Sequence, residues 1–190
     1  MRLAGCNLRC AWCDTKYALE NGQQMSTQAI IQEIGKYPCK NVSITGGEPL
    51  LQNAEVLKLI TELKVAGYWI QLNTNGTFFD AAIFELVNLV SMDCKCPSST
   101  MASTQAVLAQ TEKMLGKKAQ FKFVISDEKD FDYAKNVLSR LSPTNAVFQP
   151  EWGNKKFART LVELVKNEGL KVRVILQQHK IIWGARKRGC

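Results

Sequence analysis

Long apolar runs are missing from this chain. No stretch approaches the roughly 20 residues needed to span a bilayer, and no basic region leads into an apolar one at the N-terminus. The cytoplasm is therefore the expected compartment, and no membrane partner is expected. Histidine is nearly absent: His179 is the only one, and a lone histidine is more often a satisfied structural residue than a ligand, so it is read as structural. No linker, repeat or low-complexity stretch divides the 190 residues, which implies one domain over 1–190 with a real core. A second Cys-x-x-Cys step is missing too. Zinc knuckles usually pair two such steps, and Cys94-x-Cys96 is too tight to be the partner of Cys10-x-x-Cys13. The odd count of seven cysteines argues against a disulfide framework and for free thiols or ligands.

Charge is plentiful but scattered. The net charge of +8 would suit a phosphate-rich partner if clustered, yet only Lys180 to Arg188 forms a basic run. A single-strand nucleic-acid binder interleaves aromatic and basic residues on one surface. Here the aromatics fall in expected strands and helix faces, so no direct nucleic-acid partner is expected and the charge reads as a solvated surface. A basic end can still attract anionic ligands.

The chemistry is concentrated in Gly5-Cys6-Asn7-Leu8-Arg9-Cys10-Ala11-Trp12-Cys13-Asp14-Thr15. Three cysteines this close fold into one compact loop around a metal centre, and three ligands leave one coordination position open. Structural zinc wants four protein ligands, and an electron-transfer [4Fe–4S] cluster usually has four thiolates. Cys39, Cys94 or Cys96 remains a candidate fourth ligand on the zinc reading. The three-cysteine spacing, with aromatic Trp12 before the last cysteine and Thr45-Gly46-Gly47-Glu48-Pro49 about one βα unit downstream, resembles the radical S-adenosylmethionine (SAM) superfamily. The resemblance implies a [4Fe–4S] cluster on Cys6, Cys10 and Cys13 whose free iron chelates SAM. Reduction of the cluster then cleaves SAM to a 5′-deoxyadenosyl radical that abstracts hydrogen from the substrate.

The hydrophobic pattern gives the architecture. Arg2-Leu3-Ala4 reads as the tail of a strand, and Lys16 to Gln24 as a polar connector. A helix starts at the N-cap Ser26 and runs through Ile30, Ile31, Ile34 and Tyr37 to Pro38. Strands follow at Asn41–Thr45, Tyr68–Leu72, Leu89–Asp93, Gln120–Ile125, Ala146–Gln149 and Lys171–Leu176. Helices alternate with them over Val56–Ala66, Ala81–Val87, Ala102–Leu115, Phe131–Leu141 and Lys155–Glu168. About seven strands and six helices in alternation imply parallel pairing with right-handed crossovers, an α/β fold of the partial (β/α)6 barrel type that forms a radical SAM core. The polar motifs Cys6–Thr15, Thr45–Pro49, Asn73–Thr77, Asp93–Ser99, Ser126–Asp127 and Gln149–Trp152 all follow strand C-terminal ends, the face where parallel barrels bind ligands.

Further motifs narrow the resemblance. They are Arg2-Leu3-x-Gly5-Cys6-Asn7-Leu8, Cys13-Asp14-Thr15-x-Tyr17-Ala18, Gly46-Gly47-Glu48-Pro49-Leu50-Leu51-Gln52, Asn73-Thr74-Asn75-Gly76-Thr77, Asp93-x-Lys95-x-Pro97-Ser98-Ser99, and Gln177-x-His179-Lys180 followed by Trp183-Gly184. Over nearly its whole length the chain is similar to the 7-carboxy-7-deazaguanine synthase family. That similarity implies a reaction on 6-carboxy-5,6,7,8-tetrahydropterin, with hydrogen taken from C6, ring contraction, loss of ammonia, regeneration of SAM and assistance from Mg2+. It assigns Thr15 to magnesium, and Trp12, Cys13, Asp14, Glu48 and Gly76 to SAM; Lys95, Pro97, Ser98, Lys122, Gln149 and Pro150 sit on the same strand-end face and are expected at SAM on that ground. Arg2, Thr74 and the terminal carboxylate of Cys190 are assigned to substrate. It also implies a further strand segment with a Gln-Gly-Glu-Gly-like pterin motif ahead of Arg2. A reducing electron donor of the flavodoxin or ferredoxin type and a second copy of the chain, as a homodimer, are the other partners expected, though neither is read from the motifs.

Two other functions share part of this pattern. An activating enzyme that makes a glycyl radical on a partner protein has the same cysteine spacing, but does not account for Asp14-Thr15 or the Gln177-x-His179-Lys180 ending. A basic zinc-containing RNA-binding module is the non-enzymatic reading. Of the remaining cysteines, Cys96 and Cys190 are expected near the site, while Cys39 and Cys94 have no expected role.

Overall fold

A computed structural model describes residues 1–20 and 22–185. Seven strands, β1 (Arg2–Leu3), β2 (Asn41–Gly46), β3 (Trp69–Thr74), β4 (Leu89–Cys94), β5 (Ala119–Ile125), β6 (Ala146–Pro150) and β7 (Arg173–Val174), pair in chain order, all parallel. Among the described residues β1 and β7 do not pair with each other, so the sheet is open, as a partial barrel requires. Helices α1 (Thr27–Gly35), α2 (Asn53–Val65), α3 (Ala81–Leu86), α4 (Gln105–Leu115), α5 (Glu128–Leu141) and α6 (Lys155–Asn167) fill the crossovers, and α7 (Gln178–Ile182) follows β7. No helix among the described residues is long and apolar enough to cross a membrane.

Local chemistry sets the helix starts. Ser26, Asp80, Asp127 and Asn154 each accept a backbone N–H from the first turn of α1, α3, α5 and α6, satisfying donors that a helix leaves unpaired. Helix α5 ends on Ser142, whose left-handed φ of 45° precedes Pro143.

The strands alternate rather than reading as continuous apolar runs, and that alternation decides where the site lies. Val42, Ile44, Ile70, Leu72, Val90, Met92, Phe121, Phe123 and Phe148 are buried on the helix side. Phe148 meets Phe123 and Phe131 edge to face at 5.5 and 6.0 Å, a favoured aromatic geometry. The opposite face is polar: Asn73 Nδ2 donates to Ser43 Oγ at 2.9 Å, Gln120 Nε2 to Ser91 Oγ at 3.1 Å, and Arg173 to Gln120 Oε1 at 2.8 Å. Parallel sheets covered on both faces are usually apolar on both. Here the face away from the helices is hydrogen-bonded and polar, and Asn73 on it borders the cavity described below.

Several boundaries differ from the sequence expectation. Tyr37 lies beyond α1 and is 66% exposed, because the helix already ends at Gly35. Helix α4 starts at Gln105 rather than Ala102, α5 starts at Glu128 under the Asp127 cap, and β7 pairs over only two residues. The short α7 was not expected at all, and the Lys16–Gln24 connector contains a 3-10 turn at Lys16–Ala18 that buries Ala18.

Candidate functional site

The cysteine loop leaves β1 and lies across the C-terminal ends of the sheet, fastened on two sides. On the first, Glu48 N donates to Gly5 O at 2.8 Å and Gly47 N to Leu3 O at 3.0 Å. A Cβ on Gly47 would meet Gly5 O at 2.0 Å, and one on Gly46 would meet Leu3 O at 2.2 Å. The paired glycines thus let β2 approach the loop backbone. Asn75 extends this side, donating to Asn7 Oδ1 at 2.8 Å while accepting from Thr77. On the second side Ala11 N donates to Ser99 O at 3.0 Å, and Trp12 Nε1 to Ser98 Oγ at 3.0 Å.

Between loop and sheet lies a cavity of about 560 Å³, within the usual range for small-molecule sites. Of the expected site residues, Arg2, Cys6, Cys10, Trp12, Cys13, Asp14, Thr15, Thr74, Lys95, Lys122 and Gln149 line it. Glu48, Gly76, Pro97, Ser98 and Pro150 do not. Glu48 is fully buried behind Thr74, accepting from Thr74 Oγ1 at 2.8 Å, Asn75 N at 2.6 Å and Leu50 N at 3.0 Å. Burial raises its carboxyl despite these donors. Gly76 takes a φ of 75°, and a Cβ there would sit 2.9 Å from Asp93 O, so both its left-handed backbone and its approach to β4 favour glycine. Pro97 is exposed and Pro150 buried. Cys190 falls outside the described residues.

Charge in the cavity is arranged around Asp93. Its Oδ1 meets Lys122 Nζ and its Oδ2 meets Lys95 Nζ, both at 2.8 Å. Burial opposes the charged carboxylate, but Lys122 and Lys95 outweigh it and hold the Asp93 carboxyl well below the usual range. Lys95 lies 5.4 Å from the centre of the Trp12 ring and beside Cys10. Burial pushes the Cys10 thiol up, and the Lys95 ammonium draws it the other way.

The cysteine set fits an iron–sulfur cluster with one open position. Cys6, Cys10 and Cys13 are half-buried free thiols facing one cavity. Leu8 N and Asn75 Nδ2 approach Cys6 Sγ at 3.4 and 3.9 Å, donors suited to a thiolate. Among the described residues no three His, Cys, Asp or Glu side chains converge on one point, as a mononuclear ion demands; a four-iron cluster spreads its ligands over its own width. No other described cysteine lines the cavity. Cys39 is exposed before β2, while Cys94 and Cys96 are buried, with burial pushing both thiols up. The expectation that Cys96 lies at the site is corrected: two residues past the end of β4 it is buried in the hydrophobic core and does not line the cavity.

His179, expected to be only structural, lines the cavity. Its Nε2 lies 3.3 Å from Asp14 Oδ2, which Gln177 Nε2 at 3.4 Å and Lys180 Nζ at 3.7 Å also approach. Asp14 thereby ties α7 to the cysteine loop. Gln177 Oε1 is buried without a donor. Asp93 was visible as part of a motif, but nothing local announces the Asp14 contacts, which span 163 residues for Gln177.

Residues 2–115 match the Radical SAM superfamily. The chain is 34% identical over its full length to a 7-carboxy-7-deazaguanine synthase of Koribacter versatilis, covering 89% of it, and 35% identical to one of Clostridium acetobutylicum, covering 88%. Among solved structures it resembles QueE from Escherichia coli, with a TM-score of 0.69 and 22% identity over 93% of this chain and 83% of that one. Streptococcus suis SuiB bound to S-adenosylmethionine gives a TM-score of 0.64 at 10% identity, over 90% of this chain and 48% of that one. These two structural likenesses concern the fold.

Proposed function

The chain belongs to the radical SAM superfamily and, within it, to the 7-carboxy-7-deazaguanine synthase family, and from that premise we propose that it is a single-domain carbon–nitrogen lyase. It converts 6-carboxy-5,6,7,8-tetrahydropterin to 7-carboxy-7-deazaguanine with release of ammonia, a step toward queuosine-type 7-deazapurines and tRNA modification. The supporting observation is one cavity lined by three thiols, no other described cysteine, and the Arg2, Thr15 and Thr74 side chains.

Cys6, Cys10 and Cys13 hold the cluster, with Lys95 and the donors near Cys6 balancing its negative charge. When bound, the cluster supplies one electron to the sulfonium of SAM and so starts radical chemistry. Trp12, Cys13, Asp14, Lys95, Lys122 and Gln149 border the volume left for SAM, with Glu48 holding Thr74 and Ser98 holding Trp12 from outside it. Arg2 presents a planar fork suited to the substrate carboxylate. The Thr74 hydroxyl donates to Glu48 and keeps its lone pairs for a substrate donor. Thr15 Oγ1 likewise donates to Asp14 Oδ1 at 2.8 Å, leaving its oxygen to Mg2+, a hard cation that takes oxygen ligands. The electron donor is a flavodoxin- or ferredoxin-type carrier, the assembly a homodimer and the compartment the cytoplasm.

Anaerobic reconstitution with iron and sulfide, then a reduced assay with SAM and the carboxytetrahydropterin, tests this. Mass spectrometry should find 7-carboxy-7-deazaguanine, lost on Cys6→Ala, Cys10→Ala or Cys13→Ala and diminished without Mg2+. SAM cleavage without that product would reject the substrate.

A further inference from the structure

Asp130 is a fully buried carboxylate that neither the fold nor the proposed chemistry yet uses. It sits in the first turn of α5, but the cap of that helix is Asp127, whose Oδ1 accepts Asp130 N at 2.9 Å. The Asp130 carboxylate reaches outward. Oδ1 accepts Ser98 N at 2.9 Å, and Oδ2 accepts Ser98 Oγ at 2.5 Å and Ser126 N at 2.9 Å.

A carboxylate accepts only, so the Ser98 hydroxyl hydrogen must point at Asp130. The lone pairs of the same oxygen then face the cysteine loop, where Trp12 Nε1 donates at 3.0 Å. Polarity thus runs one way, from indole N–H through hydroxyl to carboxylate. Trp12 separates Cys10 from Cys13, and its ring lies under the Lys95 ammonium. The neighbouring Ala11 N–Ser99 O bond is made by the same two segments.

We propose that Asp130 is a positioning residue for the cysteine loop: it sets the direction of the Ser98 hydroxyl, which fixes the Trp12 indole and through it the orientation of the loop toward SAM. An amide at position 130 has both a donor and an acceptor end. Whenever its NH2 faces Ser98 Oγ, the hydroxyl hydrogen is displaced toward Trp12, where it opposes the indole N–H. The inference rests on the family's cluster and SAM, and not on the pterin reading, so loss of the substrate assignment leaves it standing.

The metal-free protein gives the first test. With tryptophan 15N-labelled and the Trp12 indole signal assigned by its loss in Trp12→Phe, indole hydrogen exchange should quicken about fivefold or more in Asp130→Asn and in Ser98→Ala, as loss of one net hydrogen bond predicts. Asp132→Asn, an exposed neighbour on α5, should change nothing. In reconstituted enzyme Asp130→Asn should raise KM for SAM more than it lowers kcat, and add no further rise in a Trp12→Phe background. Ser98→Ala leaves the backbone N–H bonds to Asp130 and carries the test alone if Asp130→Asn does not fold. Unchanged indole exchange, or a KM effect of Asp130→Asn that persists in full without the indole N–H, would overturn the proposal.

Discussion

Gly47→Ala is the sharpest perturbation the structure offers, because one methyl group is set against the backbone of the cysteine loop. The new Cβ would stand 2.0 Å from Gly5 O, 2.5 Å from Gly5 C and 2.8 Å from Cys6 Cβ. Ordinary contact begins near 3.4 Å, so loop and strand must part by more than an ångström. Overpacking of this kind costs about 1–3 kcal/mol. The same separation strains the Glu48 N–Gly5 O and Gly47 N–Leu3 O bonds, each worth about 1 kcal/mol net. The expected destabilisation is therefore about 3–5 kcal/mol, with the cysteines displaced from their common cavity. Gly35→Ala is the control: beyond its chain neighbours and its own helix backbone, no heavy atom lies within 4 Å of its added Cβ, and alanine at a helical position gains up to about 1 kcal/mol over glycine. Urea unfolding of the metal-free proteins, followed by iron and sulfide assay after reconstitution, reads both effects. Gly47→Ala within 0.5 kcal/mol of wild type (roughly the scatter of surface substitutions) and with full iron content would refute the account of the glycine pair.

Other expectations follow from the same geometry. Asp93 has a depressed folded-state pKa, so its contribution to stability is complete above the unfolded carboxylate value near 4 and is lost as pH falls through the folded value. The stability gap between wild type and Asp93→Asn should accordingly narrow from pH 6 to pH 3 in thermal unfolding of the metal-free protein. Cys39→Ser and Cys94→Ala should keep wild-type iron content, whereas Cys10→Ala should lose the cluster; iron loss in either of the first two would place a fourth ligand outside the described cavity. Phe148→Ala, which empties a fully buried site between Phe123 and Phe131, should cost about 3–5 kcal/mol in urea unfolding.

Much of this molecule is legible in its strands. Asn41-Val42-Ser43-Ile44-Thr45 and Gln120-Phe121-Lys122-Phe123 alternate, and that period separates a helix-covered face from a polar one. The same parity places Cys94 on the far side from Asp93, whereas Cys96 lies past the end of β4, where the strand period no longer applies and its burial in the core could not be read. The cysteine spacing speaks for itself because its three ligands are local. His179 does not: its meaning comes from Asp14, brought to it by six crossovers, and a five-residue helix beginning at Gln178 has too little periodicity to be seen. Asp130 is hidden for another reason. Three residues after a capping aspartate it looks like an ordinary first-turn acid, and only the packing of α5 beside Pro97–Ser99 gives its carboxylate another task.

The most direct test of the three-thiol site is electron paramagnetic resonance of the anaerobically reconstituted, reduced protein before and after addition of SAM, with iron and sulfide counted on the same sample. The account predicts about four irons per chain, as a [4Fe–4S] cluster requires, and a reduced-cluster signal that changes when SAM binds the open position. A colourless protein with one metal per chain, or a cluster signal indifferent to SAM, would contradict it.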